Sequence, residues 1–196
     1  DLSHAYRRTS GSGEYQLSCL KERFKDDLKM KDYKVGEKVL YTGKLYTARD
    51  QAHKRLTQAI AEGKKLPLNL EGQIIYYCGP ARAPQGKIIG SCGPTTSSRM
   101  DNFVLPLLKA GLFGMIGKGY RSAQVISAIR KYSAVYFLTY SGCGALLSQY
   151  VIKQKLAAYP DLGPEAIYEL EVRDFPLIVA IDGQGRYIYE KTTKGL

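Results

Sequence analysis

Three basic side chains stand at places where a glycine turn or a helix start would let a ligand reach the backbone. Arg49 lies in Tyr46-Thr47-Ala48-Arg49-Asp50, where an extended run meets a helical one. Arg99 follows the turn Gly93-Pro94-Thr95-Thr96-Ser97-Ser98, and Lys118 sits in Gly114-Met115-Ile116-Gly117-Lys118-Gly119. The start of a helix carries free N–H groups and the positive end of the dipole, so it holds anions. Hydroxyls from Thr95 to Ser98 add hydrogen-bond donors. Arginine offers a planar fork that matches a carboxylate, and lysine a mobile point charge. Two such cations would suit a dicarboxylate. Each one alone also reads as an ordinary surface charge near a helix cap. The ligand reading requires all three to share one cleft.

Other chemistries are poorly served. A phosphate-binding P-loop needs a Ser or Thr after its lysine, and Gly119 follows Lys118 instead. No GxGxxG follows a strand. Lysines and arginines are scattered singly or in pairs and do not interleave with aromatics, as a nucleic-acid surface would require, so no nucleic-acid partner is expected. The 16 tyrosines are spread along the strand-like runs. His53, beside Lys54 and Arg55 on the first helical run, reads as structural. Cys19, Cys78, Cys92 and Cys143 include no close pair. Zinc and cluster ligands usually come partly in such pairs, so no metal site is expected in this chain.

The elements that would carry these residues can be read from periodicity. Strands are expected over 38–42, resuming over 44–47 after Gly43, and over 73–78, 87–91, 113–116, 134–139, 167–172 and 177–181. Helices are expected over 49–62, closed by Gly63, then over 97–109, 121–132 and 142–150. Asp182-Gly183-Gln184-Gly185 predicts a hairpin turn to a last strand over 186–189. Residues 17–30 alternate charge with Leu and Phe, as on a solvated helix. Residues 1–16, with Ser10-Gly11-Ser12-Gly13, read as a flexible tail. Alternating β and α with an antiparallel end predicts one α/β domain over 17–196, with a mixed sheet and flanking helices.

Composition agrees with one soluble domain. The chain has 196 residues, 44% hydrophobic and 24% charged, with a net charge of +11. The excess sits in residues 41–150, which hold 14 Lys/Arg against 4 Asp/Glu. A basic field of this kind attracts anionic partners. No apolar run approaches the roughly 18–20 residues that span a bilayer, so no membrane partner is expected. The polar first residues lack the apolar core of a signal peptide. Thiols without a disulfide pattern suit a reducing, cytoplasmic compartment.

Several runs together resemble a known family. They are Thr47-Ala48-Arg49-Asp50-Gln51-Ala52-His53-Lys54-Arg55, Gly93-Pro94-Thr95-Thr96-Ser97-Ser98-Arg99-Met100-Asp101 and Ile116-Gly117-Lys118-Gly119. Tyr77-Cys78-Gly79-Pro80, Gly142-Cys143-Gly144-Ala145 and Asp161-Leu162-Gly163-Pro164-Glu165-Ala166-Ile167 add to them. In this order they resemble the β subunit of class I fumarate hydratases and L-tartrate dehydratases, which single-chain members carry as a C-terminal domain. The likeness runs from about Val35 to Glu190. Ala48 stands where many relatives have glycine.

The resemblance implies a swivelling β/β/α domain and a hydro-lyase that interconverts fumarate and (S)-malate, with tartrate dehydration as the alternative. It implies that a [4Fe–4S] cluster is held by a partner α subunit, or by a preceding domain, and not by this chain. It implies Arg49, Arg99 and Lys118 as binders of the substrate carboxylates. Thr95 is implied as the base that removes the C3 proton, and a higher oligomer of αβ units as the assembly. A non-catalytic anion-binding or interaction module is the reading from another class.

Overall fold

The computed structural model of the protein describes residues 33–189. The expected tail and the helix over 17–30 lie outside the described residues. Six strands and four α-helices are present among them: β1 Lys38–Thr47, β2 Ile74–Tyr76, β3 Gly114–Gly117, β4 Val135–Leu138, β5 Val151–Ala158 and β6 Ile167–Ile181, with α1 Asp50–Ala61, α2 Asp101–Lys109, α3 Ala123–Tyr132 and α4 Gly144–Leu147.

The sheet is mixed, as expected, but it also closes on itself. β1, β2, β3 and β4 are parallel neighbours in that order. β6 then runs antiparallel to both β4 and β1, which joins the two ends into a five-stranded barrel. β6 can do this because it is long and changes partner along one edge. Its first half, to Val172, pairs with β5, and Ile178 to Ile181 pair with β4. Between them Asp174 takes a left-handed φ of 52°. Its N–H is held by the Thr42 hydroxyl at 2.9 Å. Asp tolerates this conformation better than most residues.

Alternation along the strands divides the buried residues between two faces. Ile75, Tyr77, Met115, Tyr136 and Ile181 pack with Leu56 of α1, Val104 and Leu107 of α2 and Ile129 of α3. Ile74, Tyr76, Ile116, Phe137 and Phe175 are buried on the other face, where the Tyr76 and Phe175 rings meet edge-on at 5.5 Å. The helices form where the apolar stripe recurs every three or four residues, as at Ala52, His53 and Leu56 in α1. Ser122 caps α3 by accepting from Val125 N–H.

Three expectations are corrected. Residues 87–91 form no strand: they lie in a loop in which Ala81 N–H donates to the Ser91 carbonyl. The separate strands over 167–172 and 177–181 are one strand, because pairing with β1 resumes at Phe175 after a bulge at the Asp174 kink. The final strand reduces to one bridge between Ile181 and Tyr187. The structure adds β5, which sequence patterning misses because most of its residues are exposed. No helix among the described residues is long and apolar enough to cross a membrane.

Candidate active site

The three parallel strands β1, β2 and β3 end on the same side of the sheet, and the candidate residues gather there. Arg49 lies two residues beyond β1 and is the N-cap of α1. Ala48 N–H ties this turn to Tyr76 at the end of β2, at 3.1 Å. Lys118 follows β3 directly. The segment from Thr95 to Ser97 enters the fork between the ends of β2 and β3. Thr95 N–H donates to Tyr77 O at 2.6 Å, Thr96 forms a parallel bridge with Lys118, and Ser97 N–H donates to Lys118 O at 3.0 Å.

Arg99 sits on the short 3-10 turn Ser97–Met100. It reaches back to Asp50, with Nε 3.1 Å from Oδ1 and Nη2 2.7 Å from Oδ2. The structure therefore brings Arg49, Thr95, Arg99 and Lys118 to one place. Carboxyl ends of parallel strands are where both open α/β sheets and α/β barrels bind ligands.

The polar atoms of this place are unevenly satisfied. Arg49 packs on Gly79, where an added Cβ would lie 2.8 Å from the arginine Cδ and 2.9 Å from Nη1. Only glycine leaves room for that side chain. Arg49 Nε is buried without a hydrogen-bond partner. Its nearest carboxylates are Asp50 at 3.9 Å from Nε and Glu165 at 3.6 Å from Nη2. Glu165 is itself anchored, because its Oε2 accepts from Gln51 N–H at 3.0 Å. Among the described residues Lys118 pairs with no carboxylate and the half-buried Thr95 hydroxyl has no partner. These are donors and a hydroxyl available to a ligand.

Beneath the site lies a set of buried polar side chains, of which sequence reading singled out only Ser97, as one of four neighbouring hydroxyls. Ser97 Oγ accepts from Lys118 N–H at 3.1 Å and lies 2.9 Å from Tyr136 OH. Tyr136 OH is also 3.0 Å from Gly119 O. Gly117 makes this junction possible, since a Cβ there would lie 2.0 Å from Ser97 Oγ. Arg121 is fully buried, paired to Asp101 at 2.7 Å, and stacked between the rings of Tyr77 and Tyr136 at 5.4 and 4.9 Å.

His53 lies in the core beside Arg49, and its Nε2 is buried without a hydrogen-bond partner. It is fully buried and its Nδ1 faces Arg49 O at 2.8 Å. Facing a carbonyl, Nδ1 must carry the proton. Burial pushes its pKa down to about 4, so the ring is neutral at pH 7. Asp50 and Glu165 did stand inside the motif runs, and a carboxylate next to Arg49 was a readable signal. Tyr136 and Arg121 carried none, because a tyrosine in an apolar run and a basic residue before a helix are common.

No group of three or more His, Cys, Asp or Glu among the described residues could hold a metal ion. Cys78 and Cys92 are buried free thiols. Burial raises the Cys92 pKa to about 12 and pushes Cys78 higher still. Cluster ligands come as a group of converging thiolates, and among the described residues Cys78, Cys92 and Cys143 join no such group.

A closed mixed sheet whose parallel strand ends gather cations and hydroxyls defines an α/β domain with a candidate site at that end. Residues 9–192 match the family described as Fumarase C-terminus, and the chain belongs to that family. It is 39% identical over 188 residues to "Fumarate hydratase class I, anaerobic" of Escherichia coli (strain K12), covering 94% of this chain and 34% of that protein. It is 39% identical over 165 residues to "Fumarate hydratase 2" of Leishmania major, covering 83% of this chain and 29% of that protein. It is also 39% identical over 171 residues to the "Putative L(+)-tartrate dehydratase subunit beta" of Methanocaldococcus jannaschii, covering 84% and 88%. The chain thus spans about a third of the fumarate hydratases it matches and most of the β subunit.

Proposed function

We propose that this domain is the substrate-binding and proton-transferring half of a class I fumarate hydratase, active in reversible hydration of fumarate to (S)-malate. The observation that carries the reading is the convergence of Arg49, Thr95, Arg99 and Lys118 at the ends of β1 to β3, with Arg49 Nε buried and unpartnered. Arg49, Arg99 and Lys118 bind the carboxylates. Thr95, as its alkoxide, takes the C3 proton of malate, and the electron pair moves into the adjacent carboxylate to give an aci-carboxylate dianion. Loss of the C2 hydroxide then gives fumarate, and hydration runs the same steps backwards. A threonine with an ordinary alkoxide pKa is a poor base; cations in a dehydrated pocket lower that pKa and stabilise the dianion together.

The iron–sulfur cluster that the family resemblance implies belongs, on this reading, to a partner α subunit or a preceding domain, because the cysteines described above do not fit it. The swivelling β/β/α architecture suits a domain that closes on such a partner, and αβ units would then assemble further. Free thiols suit a cytoplasmic enzyme. Tartrate dehydration is the second reading: the chain covers 88% of a putative tartrate dehydratase β subunit, but at the same 39% identity as a fumarate hydratase, so that likeness does not favour it.

The test is anaerobic co-expression with the cluster-bearing partner and assay on fumarate, malate and tartrate. Turnover of fumarate and malate above tartrate is expected. Turnover of tartrate alone moves the assignment to tartrate dehydratase, and binding of dicarboxylates without any turnover leaves an anion-binding module.

A further inference from the structure

Each candidate substrate arginine faces a protein carboxylate, and the two carboxylates are anchored from the same helix start. Asp50, the first residue of α1, grips Arg99 side-on through both oxygens. The same Oδ2 lies 3.9 Å from Arg49 Nε. Glu165 faces the far side of Arg49, and Gln51 N–H holds it. One short side chain on a regular helix thus lies against two guanidinium groups that come from runs 50 residues apart.

We infer that Asp50 is a positioning residue for substrate binding, one that stays paired with Arg99 while Arg99 takes a substrate carboxylate. This rests on the reading of Arg99 under Proposed function. Three physical points support it. Arginine has five N–H donors in a fixed fork. A side-on carboxylate uses Nε and one Nη2 hydrogen, which leaves the Nη1 edge for a second carboxylate. Arg99 is also half-exposed, at 51% of its side chain, on a short 3-10 turn. Without Asp50 it would be one of many mobile surface arginines. Finally, Asp50 has one methylene between its carboxylate and a helical backbone, so it cannot follow Arg99 outward. It defines one orientation. It also offsets the repulsion that two guanidinium groups exert on each other when they converge on one ligand.

The alternative for the same geometry is a placeholder: Asp50 occupies Arg99 in place of the substrate and is displaced by it. The two roles give opposite signs. A positioning residue, once removed, weakens substrate binding. A placeholder, once removed, tightens it.

The experiment uses the assembled enzyme and four variants: Asp50→Asn, Asp50→Glu, Arg99→Ala and the double variant Asp50→Asn/Arg99→Ala. Steady-state kinetics on fumarate give KM and kcat. Calorimetric titration with succinate, which cannot react, gives binding apart from turnover. Thermal melting follows the fold. Asp50→Asn is expected to weaken succinate binding and raise the fumarate KM about tenfold or more, with a smaller effect on kcat. On the Arg99→Ala background the same change is expected to do nearly nothing, because the residue acts through Arg99. If Asp50→Asn does not fold, Asp50→Glu, which keeps the charge and moves it by one carbon, is expected to fold and still raise KM several-fold.

Unchanged KM and succinate affinity in a folded Asp50 variant, with only a lower melting temperature, overturns the inference in favour of a helix-end role. Tighter binding overturns it in favour of the placeholder. If Arg99→Ala alone leaves succinate binding intact, the substrate-binding reading of Arg99 fails first and takes this inference with it.

Discussion

Arg49 and Arg99 are held in place by side chains, whereas Thr95 and Lys118 are held by backbone. On the arginine side, Asp50 and Glu165 orient the guanidinium groups at 2.7 to 3.9 Å. On the threonine side, the strand-like pairing of Thr96 with Lys118 and the bond from Thr95 N–H to Tyr77 O do the positioning. The side-chain atoms there have no protein partner among the described residues. The difference teaches what each half can contribute. The Asp50 carboxylate fixes Arg99 by hydrogen bonds, and Asp50 and Glu165 offset part of the Arg49 charge at longer range. Backbone pairing leaves the Thr95 hydroxyl and the Lys118 ammonium free for the ligand. The proposed base is therefore placed without being tied.

Thr95→Ala is the largest break in this comparison, because it removes a group from the backbone-held side and leaves the arginine side intact. In the assembled enzyme turnover should fall in both directions by about 100- to 10,000-fold, the usual cost of losing general-base catalysis. Succinate binding should weaken by no more than one ordinary hydrogen bond, about 0.5–1.5 kcal/mol. Kinetics and calorimetry on one preparation check both. A variant with near-normal kcat would reduce Thr95 to a loop residue.

His53 underlies the arginine side, because it grips the Arg49 carbonyl. Its depressed folded pKa makes stability depend on pH with a definite sign. Below the unfolded value of 6.5 the unfolded chain takes up a proton that the folded chain refuses until about pH 4. The contribution is whole above pH 6.5 and is lost as pH falls to about 4, amounting to about 3 kcal/mol. Urea unfolding of the wild type between pH 7 and 4 should show this loss. His53→Asn, which keeps a donor for Arg49 O and does not titrate, should flatten that part of the slope. Equal slopes would show that the ring is not held neutral.

Two smaller changes sharpen the account of the backbone-held side. Gly117→Ala forces a methyl against Ser97 Oγ and the Tyr77 ring, both buried. Overpacking of this kind costs about 1–3 kcal/mol, and kcat should drop as well, since Lys118 is the next residue. Denaturant unfolding and kinetics on the variant test this. Tyr136→Phe removes one hydroxyl from between Ser97 and Gly119. It should cost about 1 kcal/mol of stability and leave KM for fumarate within about twofold of wild type. A large KM change would mean that Tyr136 shapes the arginine side too.

Much of the fold was readable because it is local. Helix α1 was expected over 49–62 and spans Asp50–Ala61, and α3 was expected over 121–132 and spans Ala123–Tyr132. Their apolar stripes and caps lie within one stretch of chain. β5 was missed because Ile152, Lys153, Lys155, Leu156 and Ala157 are all exposed, so neither face imposes alternation. The division of β6 at Asp174 and Pro176 was a reasonable local inference that distant partners overrule. Thr42 supports the kink, and the Thr139 hydroxyl bonds the Pro176 carbonyl at 2.8 Å.

The sequence by itself determined which side chains could do chemistry. Arg49, Thr95, Arg99 and Lys118 stand in runs whose glycines, hydroxyls and charges point to an anion without any coordinates. Only the tertiary structure decided that these runs meet, that Asp50 reaches Arg99 from 49 residues away, and that Ser97 joins Lys118 from 21. Residue type and short-range periodicity are properties of neighbours along the chain. Convergence depends on β6 closing the sheet against β1 across more than 120 residues, and pairings at that separation form only when the whole core packs at once.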